Sequence, residues 1–275
     1  MNRQAAPAPA PDRPLALVTG ASRGIGRGLA EELARHGHDL VVVADDDLHD
    51  VATELRGHGV EVTAVRADLA DAVGVVSVVD ALGDLGRPVD VAALNAGVAV
   101  GGRFADIALE DDLRLVDVNC RSTVHLAKHV VAGMEVAGRG RLMITASIAA
   151  AAPTPYQATY AASKAFLHSL AEALRHELRD SGITVTSLMP GPTDTGIFEG
   201  GDLATSLVAR GPKSAPRLVA RRACAALLAG RDHVVTGPVL NRLTVALSGV
   251  VPDRLLAAVA SIASVPRSAR GASRR

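Results

Sequence analysis

Short apolar runs alternate with longer amphipathic stretches from residue 15 to residue 236. The runs at 15–19 (LALVT), 39–44 (DLVVVA), 60–66 (VEVTAVR), 89–94 (VDVAAL), 141–146 (RLMITA), 183–189 (ITVTSLM) and 233–236 (HVVT) have the length and β-branched content of strands. Between them, 25–36, 48–56, 73–85, 110–136, 158–180 and 215–229 carry helical spacing. Several of these end at or near a glycine: Gly37, Gly57, Gly138, Gly182 and Gly230. A strand–helix–strand rhythm of this kind demands a parallel sheet with right-handed crossovers and helices on both faces. The fold class expected is α/β, a Rossmann-type doubly wound parallel sheet of about seven strands with extra C-terminal helices.

No internal repeat or linker divides the chain, so residues 14–266 read as a single dinucleotide-binding and catalytic domain, of which about 190–266 is a substrate loop and C-terminal extension. Residues 1–13 read as a disordered lead and 267–275 as a disordered basic tail. The lead has no continuous apolar segment, and its repeated prolines oppose a signal helix. Near the C-terminus, the apolar segments 240–250 and 254–265 are too short to span a bilayer. They read as helices that cover the substrate side, pack on a neighbour or touch a membrane surface peripherally. A cytoplasmic location is expected.

Composition narrows the function. Hydrophobic residues make up 48% of the chain and aromatics only 2%, without tryptophan, so the core must be built from Ala, Val, Leu and Ile. So few rings argue against surfaces that stack sugars or single-stranded nucleic acid. Lys+Arg and Asp+Glu are both 29, which leaves no basic field for a polyanion, and no nucleic-acid partner is expected. Cys120 and Cys224 form no paired motif and read as small buried hydrophobes in a reducing compartment. His125 and His129 share a helix face, but Lys128 lies between them and no carboxylate joins them, so no metal site is expected.

Candidate chemistry begins directly after the first strand, in TGASRGIG: Gly20, Ser22, Arg23, Gly24, Ile25 and Gly26 at the opening of a helix. Backbone there can turn sharply and approach a pyrophosphate at the positive end of a helix dipole. Nineteen residues beyond Gly26, Asp45 is positioned to bind adenosine ribose hydroxyls and to repel a 2′-phosphate. Arg23 pulls the other way, because a guanidinium can pair with that phosphate. Asp45 is given the greater weight, so NAD is the preferred cofactor and NADP the alternative. Asp46 and Asp47 read as N-caps of the next helix. The chain has two tyrosines, Tyr156 and Tyr160, and Tyr160 stands four residues before Lys164 on a helix, hence on one face. A neighbouring ammonium favours the phenolate, and a phenol needs such help to act near neutrality. Tyr156 is read evenly as lining the substrate pocket or as loop packing.

TGASRGIG, Asn95-Ala96-Gly97, Asn119, Ser147, Tyr160 with Lys164, and Pro190-Gly191 occur in register with the expected strands and helices. Together they closely resemble the short-chain dehydrogenase/reductase family in its single-domain form, over residues 15 to about 195. The resemblance implies an NAD(P)-dependent oxidoreductase acting on a carbonyl/secondary alcohol pair. It implies Tyr160 as general acid/base, Lys164 as the group that lowers the Tyr160 pKa and binds the nicotinamide ribose, and Ser147 as the group that orients the substrate oxygen. Asn119 would hold a water that links Lys164 to solvent. Asn95, Ala96 and Gly97 would support the sheet beside the adenosine ribose. Asp68 and Leu69 would contact the adenine, with the Asp68 carboxylate accepting from the exocyclic amine, and Pro190, Gly191 and Thr193 would close on the carboxamide.

Helices 110–136 and 158–180 correspond to those that pair between subunits in the family, so a homodimer or homotetramer is expected, with Ala161, Ala162, Phe166 and Leu170 allowing close packing. The loop from Thr193 to Val208 corresponds to the family's substrate loop, and its Ile197, Phe198, Leu203 and Leu207 favour an apolar substrate. Two alternatives stand: a lyase or epimerase using the same Tyr–Lys pair, and a dinucleotide sensor without turnover. Retention of Asn119, Ser147, Tyr160 and Lys164 together speaks against the sensor.

Overall fold

In the computed structural model, residues 13–197, 206, 210–238, 241–242, 245–246 and 251–265 are described. Seven strands form one parallel sheet: β1 (Leu15–Thr19), β2 (Asp39–Ala44), β3 (Val62–Arg66), β4 (Val91–Leu94), β5 (Gly140–Thr145), β6 (Ile183–Pro190) and β7 (His233–Thr236). Their order is β3-β2-β1-β4-β5-β6-β7. The sheet therefore grows in opposite directions from β1, and the carboxyl ends of β1 and β4 flank the crevice where such sheets bind ligands. The expected α/β class and strand number hold.

The helices are α1 (Gly24–Arg35), α2 (His49–Arg56), α3 (Ala72–Asp84), α4 (Leu109–Val116), α5 (Ser122–Ala137), α6 (Ala158–Glu177), α7 (Pro216–Leu228) and α8 (Asp253–Ser264). Every residue of β1 is buried, and the two-residue period divides it between two cores. Leu15 and Leu17 join Val41, Leu94, Leu142 and Ile144 on one face, with residues of α3, α5 and α6. Ala16 and Val18 join Val42, Val91, Ala93 and Met143 on the other, with residues of α1, α2 and α7. Strands covered on both faces are continuously apolar, which is why these runs lack an alternating pattern. Helices α1 and α7 come so close that a Cβ at Gly28 would lie 2.7 Å from that of Ala220.

The structure departs from the sequence reading in several details. The expected helix 110–136 is two helices, α4 and α5, joined by one wide turn at Asp117–Arg121 with a Ser122 N–H to Asp117 C=O bond. Gly57 keeps right-handed backbone (φ −58), and the left-handed position of that turn belongs to Gly59 (φ +78). Neither Asp46 nor Asp47 is the N-cap, which is Leu48: Asp47 accepts from the His49 N–H at 2.9 Å one position earlier, and Asp46 accepts from the Ser22 hydroxyl at 3.0 Å. Cys224 is buried, but Cys120 is only partly so. Arg13, assigned to the lead, is held by its carbonyl, which accepts from Arg87 at 3.0 Å.

Of the two C-terminal apolar segments, the second forms α8, while most of 240–250 lies outside the described residues. So do residues 1–12, the tail 267–275 and, in the substrate loop, Phe198, Leu203 and Leu207. Among the described residues, no helix is long and apolar enough to cross a membrane.

Candidate active site

The loop between β1 and α1 turns through left-handed backbone at Gly20 (φ +67) and Gly24 (φ +60). A Cβ at Gly26 would stand 2.0 Å from the Gly20 carbonyl oxygen, so only glycine fits there. The first turn of α1 contains no acidic residue, and no side chain caps it. Its unpaired N–H groups and the dipole end are thus free for an anion. A cavity of about 580 Å³ opens from this loop and runs along the carboxyl ends of the strands. Gly20, Ser22, Arg23, Gly24, Ile25, Asp45, Asp68, Leu69, Asn95, Ala96, Gly97, Ser147, Tyr160, Lys164, Pro190, Gly191 and Thr193 all line it. A backbone cradle that a Cβ would fill, an open helix N-terminus and an elongated cleft together fit a dinucleotide.

Asn95 fastens the middle of the sheet. Its N–H and that of Ala96 donate to the Thr19 hydroxyl at 2.9 and 3.0 Å, its Nδ2 donates to the Thr19 carbonyl, and its Oδ1 accepts from Thr145 Oγ1 at 3.2 Å. One side chain thus joins the ends of β1, β4 and β5. Thr19 opens the TGASRGIG motif, whereas Thr145, which completes this knot, carries no distinguishing signal in its strand.

Asn119 sits in the wide turn, fully buried. Its Oδ1 accepts from the Val98 N–H at 2.9 Å, and its Nδ2 donates to the Val98 carbonyl at 3.1 Å and to Ser163 Oγ at 3.0 Å. The amide clamps the loop after β4 to α6, and both of its N–H bonds are already used. It is not itself among the residues lining the cavity.

Ser147 lies just beyond β5, where its Oγ accepts from the Ala149 N–H at 3.1 Å. Tyr160 and Lys164 stand four apart on α6, both buried, with the ammonium 5.8 Å from the centre of the phenol ring. Lys164 Nζ donates to the Thr145 carbonyl at 3.0 Å. A Cβ at Gly97 would come within 3.2 Å of both Lys164 Nζ and Asn119 Oδ1, so a side chain there would crowd them. Burial pushes the Tyr160 phenol up, and the Ser147 hydroxyl beside it works the other way. Burial also lowers Lys164 to about 8, with the Cys120 thiol acting in the opposite sense. Desolvation is the largest influence on Tyr160, ahead of Ser147, and it favours the neutral phenol.

At the glycine-loop end the carboxylates are more exposed. Arg114, on α4, donates to both oxygens of Asp68 at 2.8 and 3.2 Å and stands 3.8 Å from Asp45. Asp68 also accepts from the Ala70 N–H at 2.9 Å, and these bonds, the Arg114 pair first, hold its carboxyl below the usual range. The expected contact between Asp68 and an adenine amine therefore meets a carboxylate already engaged. Arg114 was missed because a lone arginine on a helix carries no signal of its partner. Tyr156 does not line the cavity, and its carbonyl accepts from the Gly102 N–H at 2.9 Å, which favours its loop-packing reading. His125 and His129 are exposed on α5. Among the described residues, no group of three His, Cys, Asp or Glu side chains is arranged to hold a metal.

A family model described as short chain dehydrogenase matches residues 14–202. The chain is 35% identical over 186 residues to the oxidoreductase UcpA of Salmonella typhimurium, covering 67% of this chain and 71% of that one. It is 38% identical over 190 residues to a 1-deoxy-11-beta-hydroxypentalenate dehydrogenase of Streptomyces exfoliatus, covering 67% and 69%. Among solved structures, a short-chain dehydrogenase from Sphingobium yanoikuyae in complex with NADPH superposes with a TM-score of 0.76 at 30% identity, covering 87% of this chain and 96% of that one.

Proposed function

The chain belongs to the short-chain dehydrogenase family and is an NAD(P)-dependent oxidoreductase of the carbonyl/alcohol class; on that premise we propose that Tyr160 is its proton donor and acceptor, that it prefers NAD(H), and that its substrate is largely apolar. The bound nicotinamide supplies or accepts the hydride. Around it, Tyr160 Oη gives a proton to the carbonyl oxygen in reduction and recovers it in oxidation. Ser147 Oγ hydrogen-bonds the same oxygen and fixes its direction. Lys164, held by the Thr145 carbonyl, keeps a positive charge beside the phenol and binds the nicotinamide ribose. Asn119 holds the wall of the site by joining Val98 to Ser163. Gly20, Ser22, Gly24, Ile25 and Gly26 bind the pyrophosphate, Leu69 and Ala96 flank the adenosine, and Pro190, Gly191 and Thr193 bound the carboxamide side.

The observation that carries this reading is the convergence of Ser147, Tyr160 and Lys164, all buried, on one cavity with the glycine loop. Burial keeps Tyr160 protonated, the state a general acid requires. The preference for NAD(H) rests on Asp45 and Asp46 at the end of β2, and on the commitment of Arg114 to Asp68. The apolar substrate rests on Ile148, Ala149, Ala152, Ile197, Val259 and Ala260 in the same cavity, the last two from α8. Leu109, Leu113 and Val116 on α4 and Phe166 on α6 are exposed apolar side chains that a second copy would cover, which supports a homo-oligomer.

The test follows reduced-nicotinamide absorbance with ketones and secondary alcohols of graded polarity and both cofactors. Apolar ketones should turn over, with kcat/KM for NADH at least about tenfold above NADPH, a difference of about 1.4 kcal/mol. A tenfold preference for NADPH would defeat the Asp45 argument, and selective turnover of small ionic substrates would defeat the apolar one.

A further inference from the structure

Gln157 opens α6, three residues before Tyr160, and is 4% exposed. Its main chain is fully used: the N–H donates to the Thr154 carbonyl at 3.1 Å, and the carbonyl accepts from the Ala161 N–H at 2.8 Å. Its side-chain carboxamide has no hydrogen-bond partner among the described residues, yet Gln157 lines the same cavity as Tyr160 and Ser147. Neither amide atom is among the fully enclosed polar atoms that lack a partner, so the carboxamide stays in contact with the cavity rather than with the core. Gln157 is the N-cap of α6 and Tyr160 stands in its first turn, and both line the cavity, so the amide and the phenol address one cleft.

The residue before it supports the same conclusion. Tyr156 has φ +65, the one described residue other than glycine with positive φ. For a non-glycine residue this backbone costs about 1–2 kcal/mol. The bond from the Gly102 N–H to the Tyr156 carbonyl at 2.9 Å holds it there. Strain of this kind persists where the surroundings impose it, and it collects at ligand sites. Here it sets the direction from which the chain enters α6 at Gln157.

We propose that Gln157 is a specificity-determining residue whose carboxamide hydrogen-bonds a second oxygen on the substrate, close to the reacting carbonyl, so that the preferred substrates are hydroxyketones or diketones with an apolar body. The inference rests on the reductase reading above and narrows its substrate class. A carboxamide can both donate and accept, so it suits a hydroxyl or a carbonyl and brings no charge to attract a carboxylate. Ile148, Ala149 and Ala152 line the same cavity and offer apolar contact to the rest of such a substrate. A buried site built to bond an oxygen rejects the analogue that lacks it, because its own polar group is then left unpaired.

The test uses two matched pairs, benzoin against deoxybenzoin and diacetone alcohol against methyl isobutyl ketone, with the full-length protein and NADH. Wild type should favour the hydroxylated member of at least one pair by about 10- to 100-fold in kcat/KM. In Gln157→Leu and Gln157→Met that ratio should fall to within about threefold of unity. Both variants should melt within about 3 °C of wild type, so that a changed ratio reports on substrate recognition and not on folding. Equal kcat/KM for both members in wild type overturns the assignment while leaving the reductase reading intact. A ratio that survives in the variants also overturns it. Absence of turnover for every ketone with either nicotinamide overturns both readings.

Discussion

At the glycine-loop end of the cleft, Arg23, Asp45, Asp46, Asp68 and Arg114 stand in solvent, whereas at the other end Ser147, Tyr160 and Lys164 are each less than a tenth exposed. The first group meets through water-accessible bonds such as Arg114 to Asp68. The second has its ionisation changed by the protein: burial holds Tyr160 neutral and brings Lys164 to about 8. Exposed pairs contribute ~0–1 kcal/mol. Buried polar groups are high-stakes, because every bond they lack costs the desolvation penalty in full. One end of this cleft therefore selects a charge pattern at small energetic cost, and the other sets a protonation state at large cost.

The strongest way to break that contrast is Tyr160→Phe. It removes the proton donor and leaves the cradle, so kcat/KM should fall by at least about 10²-fold. Cofactor Kd, read by fluorescence titration, should stay within about threefold, since the hydroxyl makes no bond to the glycine loop. Retention of more than about a few per cent of activity would remove Tyr160 from the acid/base role.

The pH dependence of stability sharpens it further. Lys164 has a folded-state pKa of about 8 against an ordinary 10.5. Between those values the unfolded chain binds more protons than the native one, so stability rises with pH. Relative to Lys164→Met, the wild type should gain stability as pH climbs from about 8 towards 10 and should show no such change from about pH 6 to 7. Chemical denaturation of both proteins across that range checks the sign. A flat difference would mean that Lys164 keeps its proton in the folded state.

The smallest effect belongs to the exposed end. Arg114→Leu should change the unfolding free energy by less than about 1 kcal/mol. Its effect should also shrink as salt is raised, because exposed charges are screened. A loss several times larger would show that the Asp68 pair is a structural element and that the two ends of the cleft are not so different.

Much of this molecule was legible from order along the chain. The strands at 15–19, 39–44 and 233–236 were bounded correctly from the sequence, because a strand buried on both faces must be continuously apolar. The motif residues from Gly20 to Thr193 line one cavity, with the exceptions of Gly26, which packs against the Gly20 carbonyl, and Asn119, whose amide bonds Val98 and Ser163. Periodicity ran the expected helix 110–136 straight through the wide turn, since a single i→i+5 turn leaves the apolar spacing nearly unchanged. Asp46 and Asp47 are adjacent and identical in type, and only the approach of Ser22 separates their roles.

What the sequence determined by itself was the sheet, the family and the chemistry-bearing side chains, because these follow from local pattern and from spacing along one element. Only the tertiary structure decided which charges meet and which are stripped of water. Arg114 reaches Asp68 across 46 residues of chain, and Gly97 admits the Lys164 ammonium from a different helix. Partnership and desolvation are properties of packing between elements, and no spacing within an element encodes them. Gln157 is the plainest instance: in the chain it is one more polar residue before a helix, and its place on the wall of the cavity beside Tyr160 is what gives it meaning.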